Sequence, residues 1–161
     1  MSAGVNIEEV LDAVEDLIKR HVTGVAGLKV QTLTSEDFSI EENTLGKILA
    51  KPPAVLLAFR DASLDPGSDH TATEYRARFN FLAFCGAQSL RTTDEERAGA
   101  LRLLAKVANV LAGARLNVPS AVNRLQCVLE RVQLVELGPD GTWYGLNFFV
   151  HGPSQFGGVA V

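Results

Sequence analysis

The hydrophobic positions near the start of the chain recur every three or four residues. The stripe comprises Ile7, Val10, Leu11, Val14, Leu17, Ile18 and Val22. This spacing places the apolar side chains on one face of an amphipathic helix, and it predicts a helix over residues 6–23. Asn6 is suited to cap the N-terminus of this helix, and Gly24 follows as a stop signal.

A second helix is predicted after the sequence Thr-Asp-Glu-Glu at residues 93–96. A threonine followed three residues later by a glutamate fits a capping box, in which each side chain binds a backbone amide of the other residue. The apolar stripe of this helix consists of Ala98, Leu101, Leu104, Val107, Ala108 and Leu111. Gly113 ends it.

The remaining apolar segments either alternate with a period of two or are apolar on both faces, as strands are. They are residues 28–34, 54–59, 75–85, 125–137 and 142–151. The sequence Gly-Pro-Asp-Gly at residues 138–141 predicts a turn that joins the last two strands as an antiparallel hairpin. The order of elements predicts an α+β fold, with a mostly antiparallel sheet of four to five strands and two main helices packed on one face.

Two segments are predicted to lie outside the core. Residues 61–74 hold turn-forming and polar residues with almost no apolar content, so they are expected to form an exposed arm rather than a tight hairpin. Residues 152–161 contain several glycines and are expected to be a flexible tail. One domain is therefore predicted over residues 1–151, in which residues 35–51 hint only at a short helical turn.

Composition and charge narrow the class of protein. Of 161 residues, 47% are hydrophobic and 21% are charged, which favours a globular domain over a disordered chain. The net charge is −4 and the acidic excess lies in residues 1–50, so this part is not expected to bind a polyanion. Cys85 and Cys127 lie in apolar strands and are expected to be reduced core residues.

Neither export nor a membrane span is predicted. The N-terminal residues lack the basic and apolar regions of a signal peptide. No apolar run approaches the roughly 20 residues that a spanning helix needs. Synthesis and folding are therefore expected in a cytoplasm.

The sequence contains no recognisable catalytic constellation, so the chain is predicted not to be an enzyme and to hold no cofactor or metal. The histidines are His21, His70 and His151, and no pair has the spacing of zinc ligands. His70 with Asp61, Asp65 and Asp69 forms a candidate cluster for a hard cation. The spacing matches no calcium loop, however, and a solvated loop is the simpler interpretation.

Three arginines near the predicted arm form a candidate basic strip. Arg76 and Arg78 point the same way on one strand, and Arg60 ends the strand before the arm. The strip has three interpretations: a solvated face, a protein interface, or a surface for nucleic acid or another anion. A nucleic-acid surface would need more cations with aromatic residues between them.

The order of elements and two sequence phrases together indicate a known family. The phrases are Lys-Pro-Pro-Ala-Val-Leu-Leu-Ala-Phe at residues 51–59 and Trp-Tyr-Gly-Leu-Asn-Phe-Phe-Val at residues 143–150. With the opening helix, the polar arm, the strand at residues 75–84 and the capped helix, they follow one order over residues 5–151. In these features the chain resembles the phage Mu-like family of small tail proteins, similar to tail terminators of long-tailed phages and prophages.

The resemblance implies a structural protein of the virion. It implies a homo-oligomeric, hexameric ring that caps the head-proximal end of the tail tube, stops growth of tube and sheath, and joins the tail to the neck. The partners that it implies are the tail tube protein and also sheath and neck or connector proteins. The location that it implies is the tail of the virion, assembled in the host cytoplasm. The family pattern carries no active site that could be transferred to this chain.

Two sets of residues are expected to serve this assembly. The expected subunit and partner contacts are Arg60, Asp61, Asp65, Asp69, His70, Glu74, Arg76, Arg78 and Phe156. The acidic face of the first helix is expected to line a lumen through which DNA passes without sequence-specific binding, with Glu8, Asp12 and Glu15.

Two alternatives to a tail terminator stay open. One is another head–tail joining or sheath-associated structural protein. The other is a small-molecule-binding α+β domain with a pocket between sheet and helices. The second is disfavoured because the predicted buried faces are nearly all Val, Leu, Phe and Ala, without the convergent polar groups of a ligand pocket.

Overall fold

The structure is a computed structural model that describes residues 5–33, 53–66, 74–87, 93–121, 123–138 and 141–155. The helices are α1 (Ile7–His21) and α2 (Thr93–Leu111). The strands are β1 (Lys29–Thr32), β2 (Ala54–Asp65), β3 (Glu74–Ala87), β4 (Arg115–Leu116), β5 (Leu125–Gly138) and β6 (Gly141–Gln155). The predicted α+β class is confirmed.

The described strands form one six-stranded mixed sheet in the order β1-β2-β3-β6-β5-β4. Strands β1 and β2 run parallel, and every other neighbouring pair is antiparallel. The predicted count of four to five strands is therefore too low. The additional strand is β4, two residues long, which lies in a segment around Pro119 without strand periodicity and exists because Arg115 and Leu116 pair with the start of β5.

Helix α1 forms where its apolar stripe predicts it. Its buried side chains are Val10, Leu11, Val14 and Ile18. The Asn6 side-chain oxygen accepts hydrogen bonds from the Glu8 amide at 2.9 Å and from the Glu9 amide at 3.4 Å, which confirms the predicted N-cap. The cap is held to the rest of the molecule because the Ser120 amide donates to the Glu9 carboxylate at 2.9 Å.

Both helices pack on the same face of the sheet and enclose the main core. Three phenylalanines cross that face in neighbouring strands: the rings of Phe59 and Phe81 meet edge to face at 5.6 Å, and those of Phe81 and Phe148 stack at 5.4 Å. Cys85 and Cys127 are free and buried in the same cluster, as predicted. Of the helices in the described part of the chain, none has the length and apolar character that crossing a bilayer requires.

Both ends of the predicted arm belong to strands. Strand β2 continues to Asp65 and β3 begins at Glu74, so residues 61–65 pair with β3 and only the segment between the strands connects them. The prediction of a polar connector from Asp61 onward is therefore wrong for its first five residues. The physical reason is that pairing with β3 supplies the backbone hydrogen bonds of these polar residues, and their local preference for turns is overridden. Residues 67–73 lie outside the described part.

The start of the predicted tail also belongs to a strand. Strand β6 runs to Gln155 and pairs with the first residues of β3, so residues 152–155 are not tail. The Val5 amide donates to the Pro153 carbonyl at 3.0 Å, which ties the N-terminal segment to this end of β6. Residues 156–161 lie outside the described part.

Candidate assembly surface

The face of the sheet opposite the helices, here called the far face, changes character along the strands. At one end it is apolar and buried, with Leu33, Ala54, Leu56, Ala58, Phe84 and Trp143 in one cluster. At the other end β2 and β3 form what we call the outer hairpin, residues 61–65 and 74–80, in which residues 61–65 pair with residues 76–80. There the far face carries charged and amide side chains. The strand register places Asp61 opposite Asn80, Ser63 opposite Arg78 and Asp65 opposite Arg76.

Arg78 is the centre of a polar network on the far face. Its guanidinium lies 3.8 Å from the centroid of the Phe149 ring in β6, and a terminal nitrogen lies 3.1 Å from a Glu130 carboxylate oxygen in β5. The Arg78 Nε donates to Asn80 Oδ1 at 2.9 Å, and Asn80 Nδ2 donates to Asp61 Oδ1 at 2.7 Å. The network therefore joins β2, β3, β6 and β5.

This network changes the interpretation of the basic strip. Arg76 and Arg78 do share a face, as predicted, but Asp61, Asp65 and Glu130 lie among them. The charges alternate in sign. The Arg78 guanidinium already contacts the Glu130 carboxylate, the Asn80 side-chain oxygen and the Phe149 ring. A surface of this kind suits a protein contact better than a polyanion, which requires an excess of cations.

The other expected contact residues are spread over the strands. Arg60 is exposed at an irregularity in β2, where the register shifts between Phe59 and Asp61. Glu74 is the first residue of β3. Asp69, His70 and Phe156 lie outside the described residues, so the candidate cation cluster cannot be assembled from the described part, in which no group of three or more metal-ligating side chains occurs.

The acidic residues expected to line a lumen lie on the polar side of α1. Glu8 and Asp12 are exposed. Glu15 is half-buried and lies 3.7 Å from the Lys19 ammonium, one helical turn away. Asp16 likewise pairs with Arg20 at 2.9 Å, so the C-terminal half of this face is partly neutralised by its own helix.

A second surface was not singled out by the sequence. Val128, Val132, Leu134 and Val135 in β5 are 39–53% exposed, and we call them the β5 apolar strip. The register places Val132 and Leu134 on the helix side, opposite Leu146 and Tyr144, and Val128 on the far face, opposite Phe149. The Val135 side chain lies next to Gly145, which also belongs to the far face, so the strip follows one strand and exposes apolar groups on both faces of the sheet. The Val and Leu residues of this segment predict a strand, but they do not predict that it is exposed, because a buried strand has the same pattern.

Among the described residues, the outer edge of β5 is open next to this strip. Strand β4 pairs with Leu125 and Gln126 only, and Cys127 exchanges backbone hydrogen bonds with Gly113 and Ala114 at 3.1 and 2.8 Å. From Val128 onward, the described chain places no strand on that side of β5. Unpaired backbone groups beside exposed apolar side chains are a template for another strand.

The sequence analysis also did not predict three side chains with buried polar atoms. The hydroxyls of Thr32 and Thr142 and both amide atoms of Asn147 are buried, and none has a hydrogen-bond partner among the described residues. Asn147 is 2% exposed, in the middle of β6 on the far face. An alternating strand predicts which face a residue joins, but it does not predict whether a polar group there finds a partner.

The cysteines have no features of a reactive site. Burial raises the pKa of both the Cys85 and Cys127 thiols from 9.0 to about 12. A thiol in an apolar environment with a raised pKa stays protonated near neutral pH and is a poor nucleophile and a poor metal ligand. These two residues therefore contribute to the core rather than to a site.

Comparison with known proteins agrees with the order of elements. The fold is similar to that of a chain from the "Virion of native gene transfer agent (GTA) particle", with a TM-score of 0.52 and 16% sequence identity over 90% of this chain and 95% of that chain. At this identity the likeness concerns the fold alone. No curated protein matches the sequence.

The family comparison carries more weight because it covers most of the sequence. The model described as "Bacteriophage Mu, Gp37" matches residues 10–135, from the first helix through most of β5. The resemblance to a phage Mu family is thereby confirmed. The chain belongs to the Bacteriophage Mu Gp37 family.

Proposed function

We propose that this chain is a tail terminator, a structural protein that forms a ring on the head-proximal end of the phage tail tube. The ring stops growth of tube and sheath and joins the tail to the neck. Family membership supports a phage structural protein, and the similarly folded chain comes from a virion particle. In this proposal the protein acts through surfaces, without catalysis, cofactor or metal.

The observation that carries the proposal is the β5 apolar strip beside an open strand edge. Four large apolar side chains on one strand are 39–53% exposed, and the edge from Val128 onward has unpaired backbone groups among the described residues. These side chains are exposed on both faces of the same edge strand, and an open edge flanked by apolar side chains is typical of a protein contact that adds a strand or packs around the edge. A closed ring uses such heterologous contacts, because each copy presents one surface to the next copy and a different surface to the previous one.

The two surfaces expected from the sequence have separate roles in this proposal. The outer hairpin, with Asp61, Asp65 and Arg76 exposed on its far face, contacts a neighbouring copy or the tube. Helix α1 lines the lumen with Glu8, Asp12 and Glu15. An acidic lumen repels the DNA backbone and lets it pass without adhesion.

Tube growth in vitro tests the terminator role directly. Purified tail tube protein is polymerised with and without this chain, and tube lengths and ends are measured by electron microscopy. A terminator gives shorter tubes with a ring at one end. Tubes of unchanged length without a ring would overturn the proposal.

A pair of matched variants tests whether the β5 apolar strip carries the ring contact. Leu134→Lys places a charge in the strip, and Leu101→Lys places the same charge on α2, where Leu101 is 42% exposed. We expect Leu134→Lys to abolish the oligomer in size-exclusion chromatography with light scattering, and Leu101→Lys to retain it. Equal behaviour of the two variants would show that the strip is not the contact.

The lumen assignment has its own test. Simultaneous replacement of Glu8, Asp12 and Glu15 by lysine is expected to leave assembly intact and to slow DNA ejection from the particle, because a basic lumen attracts phosphate groups. Unchanged ejection would remove the lumen assignment but not the ring.

The same assays separate the alternative roles. A head–tail joining protein leaves tube length unchanged and blocks attachment of heads when it is missing. A sheath-associated protein leaves naked tubes unaffected. A small-molecule-binding domain is a monomer whose melting temperature rises with its ligand.

A further inference from the structure

Two irregularities in the sheet lie beside the same row of residues. The row crosses four strands through the pairs Phe59 with Phe81, Phe81 with Phe148, and Phe148 with Leu129. The β2 register shifts between Phe59 and Asp61, and the β5 register shifts between Leu129 and Arg131. Arg60 and Glu130 are therefore the extra residues of two β-bulges, one on each side of the central pair β3 and β6.

Along this row of residues, the two faces of the sheet are held together by different kinds of contact. On the helix side the contacting rings of Phe59, Phe81 and Phe148 lie in the core. On the far face the Arg78 network connects the residue that follows the β2 bulge, Asp61, with the bulged residue of β5, Glu130. A bulge interrupts ladder hydrogen bonds and bends its strand, so the sheet needs another connection where two bulges coincide.

We infer that Arg78 is a cross-sheet brace that fixes the direction in which the outer hairpin projects from the sheet. The brace has three attachments. The guanidinium stacks on Phe149, binds the Glu130 carboxylate at 3.1 Å and donates a hydrogen bond to Asn80 at 2.9 Å. Asn80 in turn donates a hydrogen bond to Asp61 at 2.7 Å. Strand β3 stays paired with β6 in an unbroken register from Glu74 to Phe81, so without the brace the hinge lies in β2, and residues 61–65 loosen from β3 while the phenylalanine row stays packed.

Arginine is the residue type that this position requires. Its planar guanidinium stacks on an aromatic ring and, at the same time, presents separate N–H groups to a carboxylate and to an amide oxygen. A lysine ammonium keeps the charge for Glu130, but it has no plane to stack on Phe149 and no Nε–H for Asn80. The side chains of Arg78 and Glu130 are 34% and 39% exposed, so neither is fully solvated, and the ion pair is one part of a network rather than an isolated surface pair.

The brace bears on assembly without depending on the terminator proposal. The outer hairpin carries Asp61, Asp65, Glu74 and Arg76, four of the residues expected to contact a partner. Rigid surfaces bind with a smaller entropic cost than mobile ones, so the brace prepares this surface for binding before any partner arrives. The inference itself concerns the isolated chain and is tested there.

Amide hydrogen exchange on three variants of the purified protein tests the brace. Arg78→Met removes the guanidinium and keeps an unbranched stem, Arg78→Lys keeps the charge, and Arg76→Met is the control. Arg76 lies two residues away on the same strand and face and is exposed. We compare residues 61–65 and 75–79 in the outer hairpin with residues 54–58 and 81–85 in the inner part of the same two strands.

The expected result is local. Arg78→Met raises exchange rates in the outer hairpin by about tenfold or more and leaves the inner strands unchanged, because local opening and global unfolding are separate events. Arg78→Lys gives an intermediate increase, and Arg76→Met gives little. Three outcomes would overturn the brace: no change in Arg78→Met, the same change in Arg76→Met, or an equal loss of protection in the inner and outer parts.

The conservative variant Glu130→Gln keeps the test valid if Arg78→Met does not fold. It preserves size and removes only the charge opposite Arg78. We expect it to raise exchange in the outer hairpin less than Arg78→Met does, and a complete lack of change in both Glu130→Gln and Arg78→Lys would also overturn the brace.

Discussion

Trp143 lies directly over Gly86, and this contact leads to the sharpest stability prediction. The two residues are paired across β3 and β6. A Cβ atom placed on Gly86 would lie 2.5 Å from the Trp143 Cδ2 and Cε3 atoms, closer than any real contact. The indole is 1% exposed, so it has no free volume into which it can withdraw. Gly86 does not have positive φ, and the requirement for glycine is therefore one of space and not of backbone conformation.

The cost of Gly86→Ala follows from two opposing terms. Forcing a methyl group into a well-packed core costs about 1–3 kcal/mol. Alanine also restricts the unfolded chain, which returns about 0.4–1 kcal/mol. The free energy of unfolding should therefore fall by about 1–2 kcal/mol. For a chain of this length, the melting temperature should fall by roughly 2–8 °C.

Urea denaturation followed by circular dichroism measures the effect, and the fluorescence of Trp143, the single tryptophan, reports the local environment. Gly145→Ala is the matched control on β6, because its nearest contact is Val135 Cγ2 at 3.0 Å and Val135 is 39% exposed and free to shift. We expect a change within about 0.5 kcal/mol there.

A double-mutant cycle decides whether the indole is the cause. In a Trp143→Leu background, Gly86→Ala should lose most of its cost, since the clashing ring is gone. The reasoning is refuted if Gly86→Ala is as stable as the parent chain, or if its cost is the same in both backgrounds.

Three further predictions concern buried polar and capping groups. Asn147→Leu should raise the free energy of unfolding by about 1–2 kcal/mol in urea denaturation, because it removes two buried groups that find no partner in the described part of the chain, and a loss of stability would show that the amide is satisfied. Burial raises the pKa of the Cys85 and Cys127 thiols to about 12, so the folded state keeps protons that the unfolded state releases above about pH 9. The stabilisation is complete below pH 9 and is lost as the pH rises towards 12, and a Cys85→Ala, Cys127→Ala chain should show a flatter stability profile there; identical profiles would contradict this. Asn6→Ala should cost about 1 kcal/mol through loss of the α1 cap, whereas Asn6→Asp keeps an acceptor and should cost much less, and equal losses in thermal melts would disprove the capping role.

Several parts of this protein follow from the sequence by itself. Helix α1, its Asn6 cap and the hairpin of β5 and β6 carry their own local signals: a periodic apolar stripe, a side chain that binds free amides, and a turn sequence between two strand-like runs. The burial of the two cysteines could be predicted because it depends on the local apolar context. The phage Mu family could be predicted because it depends on the order of the elements.

The tertiary structure alone decided the features that concern assembly. Residues 61–65 have turn-like composition, yet they are strand because β3 supplies their partners. Four Val and Leu side chains of β5 look like core in the sequence, yet they are 39–53% exposed because, among the described residues, no element packs over them. Arg78 looked like part of a basic strip, and its network became visible only when Glu130 and Phe149, more than fifty residues away, were brought beside it. Local preference acts over a few neighbouring residues, whereas strand pairing and burial depend on contacts between distant ones, so the sequence predicted the elements and the fold determined which of their surfaces are left for a partner.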